Sequence, residues 1–286
     1  MAYESSLSFD SVILIESLPK TSEPTGTNLF ENTIAPALGR HAMYGELYQI
    51  QSRREFFGCL KRALEMTKDG RAPILHIEAH GDAEGLELAA GELVKWAEVA
   101  PALTEINIGC QMNLLVVAAA CEGWYLGTVL RPVDRSPVWG VVGPPEVAKA
   151  GNLYSAMTSF YRELLESFNL RSALETMNQQ TSISEWRYQF SSAEILFCRV
   201  FRYYMQDLET GETQEQRVSR LVAEIARVKK LDVVQTMKLR AEVGADLSNH
   251  KWWFDYYRTG FLMLDLFPKN APRFTFSFED CTRRAA

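Results

Sequence analysis

The sequence predicts an α/β sandwich, with a mostly parallel sheet and crossover helices, followed by a mainly helical C-terminal extension. Three observations carry this expectation. Compact apolar runs alternate with segments of helical length through the first half, the pattern of strand–helix–strand units. The run Leu114 to Ala120 is apolar throughout, as in a strand covered by helices on both sheet faces. After about Ser182 the character changes and helical periodicity takes over.

Each element has its own signal. Val12 to Ile15 is a β-branched first strand, ending in the polar, Pro- and Gly-punctuated stretch Glu16 to Thr27. Met43 to Ile50 alternates as a second strand. Ser52 caps a helix and Glu55, three residues on, completes a capping box; Phe56, Phe57, Leu60 and Leu64 form its apolar face, and Gly70 closes it. Pro73 to Ala79 reads as a third strand. Gly85 suits a tight reversal into the short strand Leu86-Glu87-Leu88, and Glu92 to Leu103 reads as a helix. Leu114 to Ala120 and Val138 to Val142 are the fourth and fifth strands, followed by a helix from Leu153 to Phe168. Beyond them, Ile195, Phe197, Val200, Phe201, Tyr204 and Met205 suit a helix, Glu209 to Thr213 a turn, and Gln214 to Lys230 an amphipathic helix. The aromatic run Trp252 to Tyr257 reads as packing between helices, any exposed part of it as a protein interface. The expected division is residues 1–181 and 182–286. No Pro/Gly/Ser-rich linker separates Phe168 from Arg199, so the two parts are expected to form one compact unit.

Composition narrows the function classes. A hydrophobic share of 47% against 23% charged residues describes a well-packed globular chain rather than a disordered one. The net charge of −6, with Arg53-Arg54 and Lys229-Lys230 as the densest basic pairs, gives no reason to expect a nucleic-acid partner. No apolar stretch approaches the ~20 residues of a membrane span, and Met1 to Asp10 lacks the features of a secretory signal. The five cysteines are odd in number and widely spread without CxxC spacing, so neither a zinc site nor a thioredoxin-like motif is expected. Reduced thiols in a cytoplasmic protein are the expectation.

The chemistry lies at two strand ends. The third strand stops at His80-Gly81-Asp82 and the fourth at Cys121-Glu122-Gly123. Ligands of open α/β sheets bind outside the carboxyl ends of the strands, so an imidazole and a thiol there would share one rim. They are the minimum for nucleophilic catalysis, with His80 as base and Cys121 as attacking thiolate. Gly81 allows close approach of a substrate carbonyl and an unobstructed N–H toward a developing oxyanion. His76 lies inside the strand and reads as a packed core residue; on a strand it stands about 13 Å from His80, too far to share one ion. Asp82, Glu84 and Glu122 read as solvated rim charges, and Cys59, Cys110, Cys198 and Cys281 as core or structural cysteines.

A strand ending in His-Gly, then Gly-Leu-x-Leu, then a strand ending in Ala-Cys-Glu-Gly resembles the caspase-like superfamily of cysteine peptidases. Its bacterial CHAT branch is the nearest match. The similarity covers roughly residues 10–170 and takes in the helix Phe160-Tyr161-Arg162-Glu163-Leu164-Leu165. It implies a caspase-like three-layer sandwich, a His80/Cys121 dyad and an oxyanion hole from the N–H groups of Gly81 and Cys121. It also implies a regulated protease in an antiviral or cell-death pathway, cutting a protein such as a pore-forming effector, with a regulatory partner. One position departs from the pattern: where caspases place Gln and metacaspases Asp two residues before the nucleophile, this chain has Ala119. An uncharged P1 residue is therefore expected, with Glu16, near the end of the first strand, the one acid that could draw a basic residue into the pocket. The competing readings are a catalytically inactive adaptor of the same fold and an acyltransferase or ligase using the same thiolate.

Overall fold

The computed structural model describes residues 7–120, 129–144, 150–180, 189–210 and 214–282. Its core is a mixed, mostly parallel sheet in the order β2-β1-β3-β6-β7-β8. These strands are β1 (Ser11–Ser17), β2 (Tyr44–Gln49), β3 (Pro73–Gly81), β6 (Leu115–Ala119), β7 (Gly140–Gly143) and β8 (Gln189–Ser192). The first five run parallel and β8 closes the edge antiparallel to β7. Two short strands, β4 (Gly85–Glu87) and β5 (Leu93–Lys95), continue antiparallel from the end of β3.

The unbroken apolar runs occupy the centre of this sheet. Val12 to Ile15 on β1 and Leu115 to Val117 on β6 are at most 2% exposed, because helices lie over the sheet. The alternating β2 takes an edge, where the partly exposed Glu46 accepts hydrogen bonds from Tyr44, Tyr48 and Arg62. In one helical layer α3 (Arg53–Lys68) packs on α4 (Trp96–Gly109) and on β1 and β3. The expected capping box is present at the start of α3: Glu55 Oε2 accepts from the Ser52 N–H at 2.9 Å, while Ser52 Oγ accepts from the Glu55 N–H at 3.4 Å. A second layer combines α1 (Thr25–Leu29), a π-helical turn (Phe30–Ile34) and α2 (Ala35–Arg40) with α5 (Ala150–Ser167), and α6 (Leu170–Gln180) packs on α5. On α5, Ala156, Met157, Phe160, Tyr161, Leu164 and Leu165 form a buried stripe of adjacent pairs every fourth residue.

The C-terminal segment adds α7 (Ala193–Thr210), α8 (Gln214–Lys229), α9 (Val233–Ser248), α10 (His250–Phe261) and α11 (Phe278–Thr282). Its aromatic packing centres on Phe197, whose ring lies 5.5 Å from Phe254 and 5.4 Å from Phe261. The run Trp252 to Tyr257 divides between the two faces of α10: Phe254 is 2% exposed, Trp252 50% and Tyr256 58%.

Four local expectations need correction. The loop expected up to Thr27 ends earlier, because α1 begins at Thr25. The helix expected from Glu92 starts at Trp96, since Leu93 to Lys95 first pair with β4 as β5. The extension after Ser182 is mainly helical, as expected, but its first described element is a strand, β8, which joins the main sheet beside β7. Finally, Cys198 on α7 and Cys281 on α11 form a disulfide with their Cα atoms 4.8 Å apart, which overturns the expectation of five reduced thiols. The pair is 83 residues apart in sequence, so spacing gave no sign of it. Among the described residues, no helix is long and apolar enough to cross a membrane.

Candidate active site

The end of β3 is held by a tight, well-bonded reversal. Asp82 Oδ1 accepts from the N–H groups of Glu84 (2.7 Å) and Gly85 (3.1 Å), and the Asp82 N–H returns to the Gly85 carbonyl at 3.0 Å. Trp96 Nε1 donates to the Asp82 carbonyl at 3.0 Å, fixing the turn to the start of α4. Glycine is required at position 85: a Cβ there would stand 2.2 Å from the Val94 carbonyl oxygen and 2.8 Å from Lys95 Cα. These contacts set the place of His80 and Gly81 just before the turn.

The ladder also orients the Gly81 peptide. His80 pairs with Glu87 and Gly81 with Leu86 across β3 and β4. Because Asp82 N–H bonds Gly85, Gly81–Leu86 is the wide, non-hydrogen-bonded pair, whose N–H and C=O groups face away from the partner strand. Just beyond β4, Ala89 N–H donates to Ser17 Oγ at the end of β1 (2.9 Å), so β4 lies on the β1 flank of β3. Gly81 N–H accordingly looks toward the β6 flank. The His80 ring is exposed at the same strand end, with no hydrogen-bond partner among the described residues.

Near their carboxyl ends, three neighbouring strands share one register row. Glu78 on β3 is the Cα partner of Glu16 on β1 and of Ala119 on β6. All three are buried, Glu16 at 5%, Glu78 at 4% and Ala119 at 1% exposure. Ala120 is buried too, and the next residue, Cys121, lies outside the described residues with Glu122 and Gly123.

The two glutamates in this row hold the start of α1. Glu16 Oε1 accepts from the N–H groups of Gly26 (2.8 Å) and Thr27 (3.0 Å), and Oε2 from the Thr27 hydroxyl (2.6 Å). The Thr25 hydroxyl donates to Glu78 Oε1. Gly26 sits so close that a Cβ would lie 2.7 Å from Glu78 Oε2 and 3.1 Å from Glu16 Oε1. On the inner side, Glu78 Oε2 is 3.5 Å from His76 Nε2, within ion-pair distance but not aligned as a hydrogen bond. His76 Nδ1 meets the Tyr161 hydroxyl of α5 at 3.2 Å, and burial next to Glu78 pushes that phenol well above its usual pKa. A buried polar chain thus runs from Tyr161 through His76 and Glu78 to Thr25. Of its members, the sequence singled out only the core position of His76.

The remaining sequence candidates fall away from nucleophilic chemistry. Burial pushes the Cys59 thiol up to about 11, with Glu55 and Glu46 adding to it. Burial, and then Asp10, push Cys110 up to about 12, so both stay protonated near neutral pH. Cys198 and Cys281 are consumed in the disulfide. Asp82 and Glu84 are exposed, as expected of rim charges, but Asp82 also builds the turn. The site therefore offers an exposed imidazole and a backbone N–H directed toward the β6 flank, above a buried acid pair that anchors α1. No protein-family model and no curated protein matches this chain.

Proposed function

We propose that the chain is a caspase-like cysteine endopeptidase, of the CHAT kind that its strand-end motifs resemble, with Cys121 as nucleophile and His80 as base. The observation that carries this reading is the register of Glu78 with Ala119. His80 follows Glu78 by two residues, and Cys121 follows Ala119 by two, so base and nucleophile come at matching steps beyond one paired row. The exposed His80 ring and the outward Gly81 N–H supply the other two parts of an acyl-transfer site.

In the proposed reaction His80 takes the Cys121 thiol proton and the thiolate attacks the scissile carbonyl carbon. The carbonyl oxygen becomes an oxyanion received by the N–H groups of Gly81 and Cys121. Collapse breaks the C–N bond, the amine leaves with the proton from His80, and a thioester remains. Water, deprotonated by His80, then attacks the thioester, releasing the carboxylic acid and restoring the thiol. The dyad requires no cofactor. The resemblance supports a cytoplasmic protease acting on a protein substrate such as a pore-forming effector, in antiviral defence or cell death.

Selective alkylation tests the reading. With Cys59 and Cys110 held as thiols, a mild electrophile at pH 7 should label Cys121 first, and labelling should slow sharply in His80→Ala. Equal, slow labelling of Cys121 with and without His80 would favour the inactive adaptor. Rapid labelling accompanied by an acylated product, with no hydrolysis, would favour the acyltransferase.

A further inference from the structure

An open cleft lies along α10, lined by none of the strand-end residues. The inner face of the helix, Phe254 and Phe261, is buried and supplies the packing against α7. Its outer face carries Trp252, Asp255, Tyr256 and Thr259, spaced i, i+3, i+4 and i+7, and all four line the cleft, whose volume is about 530 Å³. The opposite wall is the loop segment with Pro132, Val133 and Arg135. Val133 is 63% exposed, so the rim is apolar as well as the floor.

The fold makes little use of these aromatic rings. Trp252 and Tyr256 remain half-exposed and stack on each other at 5.4 Å with their planes 7° apart, leaving aromatic surface open to solvent. The charges in the cleft are unequal. Arg135 is bound bidentately by Asp265 at 2.9 and 2.7 Å and also donates to the Gly260 carbonyl, so its charge is already matched. Asp255, on the aromatic wall, has no ion-pair partner among the described residues. A flat aromatic stack beside an unmatched acid is complementary to a planar cation.

We propose that this cleft binds an arginine side chain carried on an extended segment of a partner protein, stacked on Trp252 and Tyr256 and paired with Asp255. The aromatic face from Trp252 to Thr259 spans about 10 Å along the helix, enough to follow several residues of an extended peptide. The exposed Val133 on the rim, beside the buried Pro132, suits an apolar neighbour of that arginine. The cleft is independent of the proposed dyad, and its occupancy can be measured without any turnover.

The test is titration of the full chain with a labelled hexa-arginine peptide at about 0.15 M salt, where long-range attraction to an acidic protein is largely screened. Saturable binding is expected, weakened about fivefold in Trp252→Ala and about fivefold in Asp255→Asn. Glu65→Gln removes the same unit of charge from an exposed position on α3 outside the cleft, and should change binding less than twofold. A hexaglycine peptide should not bind. Both substituted cleft residues are exposed, so the variants should keep the wild-type melting temperature. The proposal is overturned if binding is not saturable, if Glu65→Gln weakens it as much as Asp255→Asn, or if Trp252→Ala binds like the wild type.

Discussion

Glu78 on β3 and Ala119 on β6 are Cα partners in a parallel ladder, with Glu16 of β1 on the far side of Glu78. Two residues beyond Glu78 comes the exposed His80, and two beyond Ala119 the chain reaches Cys121. Cys121→Ala and His80→Ala should therefore each lower peptide hydrolysis by at least about 10³-fold, the scale seen when one member of a catalytic unit is removed. Circular dichroism and thermal melting should be unchanged. Hydrolysis that survives in either variant would remove the dyad.

The turn after His80 has no room for a larger residue at its corner. Gly85→Ala would drive a methyl into the Val94 carbonyl and Lys95 backbone, neither of which can rotate aside. We expect a loss of about 1–3 kcal/mol in denaturant unfolding. The proposed hydrolysis should fall with it, because the displaced reversal carries His80 and Gly81, the proposed base and oxyanion donor. Full activity in a folded Gly85→Ala protein would show that the turn does not position them.

Specificity offers a separate measurement. An apolar P1 side chain gains roughly 1.5–3 kcal/mol on burial, while a charged one facing Ala119 without a partner costs several. A P1-varied peptide library should therefore favour leucine-like residues over aspartate or arginine. Glu16 has its oxygens engaged by Gly26 and Thr27, so Glu16→Gln should reduce stability and leave the P1 preference in place. A basic P1 preference that disappears in Glu16→Gln would make Glu16 the specificity residue.

The disulfide joins the two ends of the C-terminal segment. Cys281→Ser should destabilise the packing of α7 and α11 by about 2–4 kcal/mol, given the long loop that the bond closes. Reductant should lower the melting temperature of the wild type to about that of the variant and leave the variant unaffected. No difference between reduced and oxidised protein would show that the bond does not contribute.

An exposed tie between α3 and α4 sets an acid-range signature. Hydrogen bonds from Arg53, then from the Lys95 N–H, hold Glu98 at about 2. This lies below the unfolded value, so its contribution is complete above that value and is lost as pH falls through about 2. A titration followed by NMR should give Glu98 a midpoint near 2, and Arg53→Ala should raise it only part of the way, since the Lys95 contact remains. An unchanged midpoint in Arg53→Ala would exclude the ion pair as its cause.

Local signals in the sequence account for β1, β2, β3 and β6, the capped start of α3 and the glycine reversal after His80. Each depends on residues only a few positions apart, which is the range over which apolar period, capping chemistry and turn geometry act. The helix over residues 25–40 was not legible because the π-turn at Phe30–Ile34 separates the buried Leu29 and Ile34 by five residues, breaking the 3.6-residue period. Tertiary packing alone joined Cys198 to Cys281, turned Trp252 and Tyr256 outward while Phe254 turned in, and placed Glu16, Glu78 and Ala119 in one row. Glu16 thereby became an anchor for α1, because a buried carboxyl group takes the donors that the fold brings to it. Local chemistry was readable in the sequence, but the register of distant strands decided that Glu16, Glu78 and Ala119 are neighbours, since that register is set by packing between segments far apart in the chain.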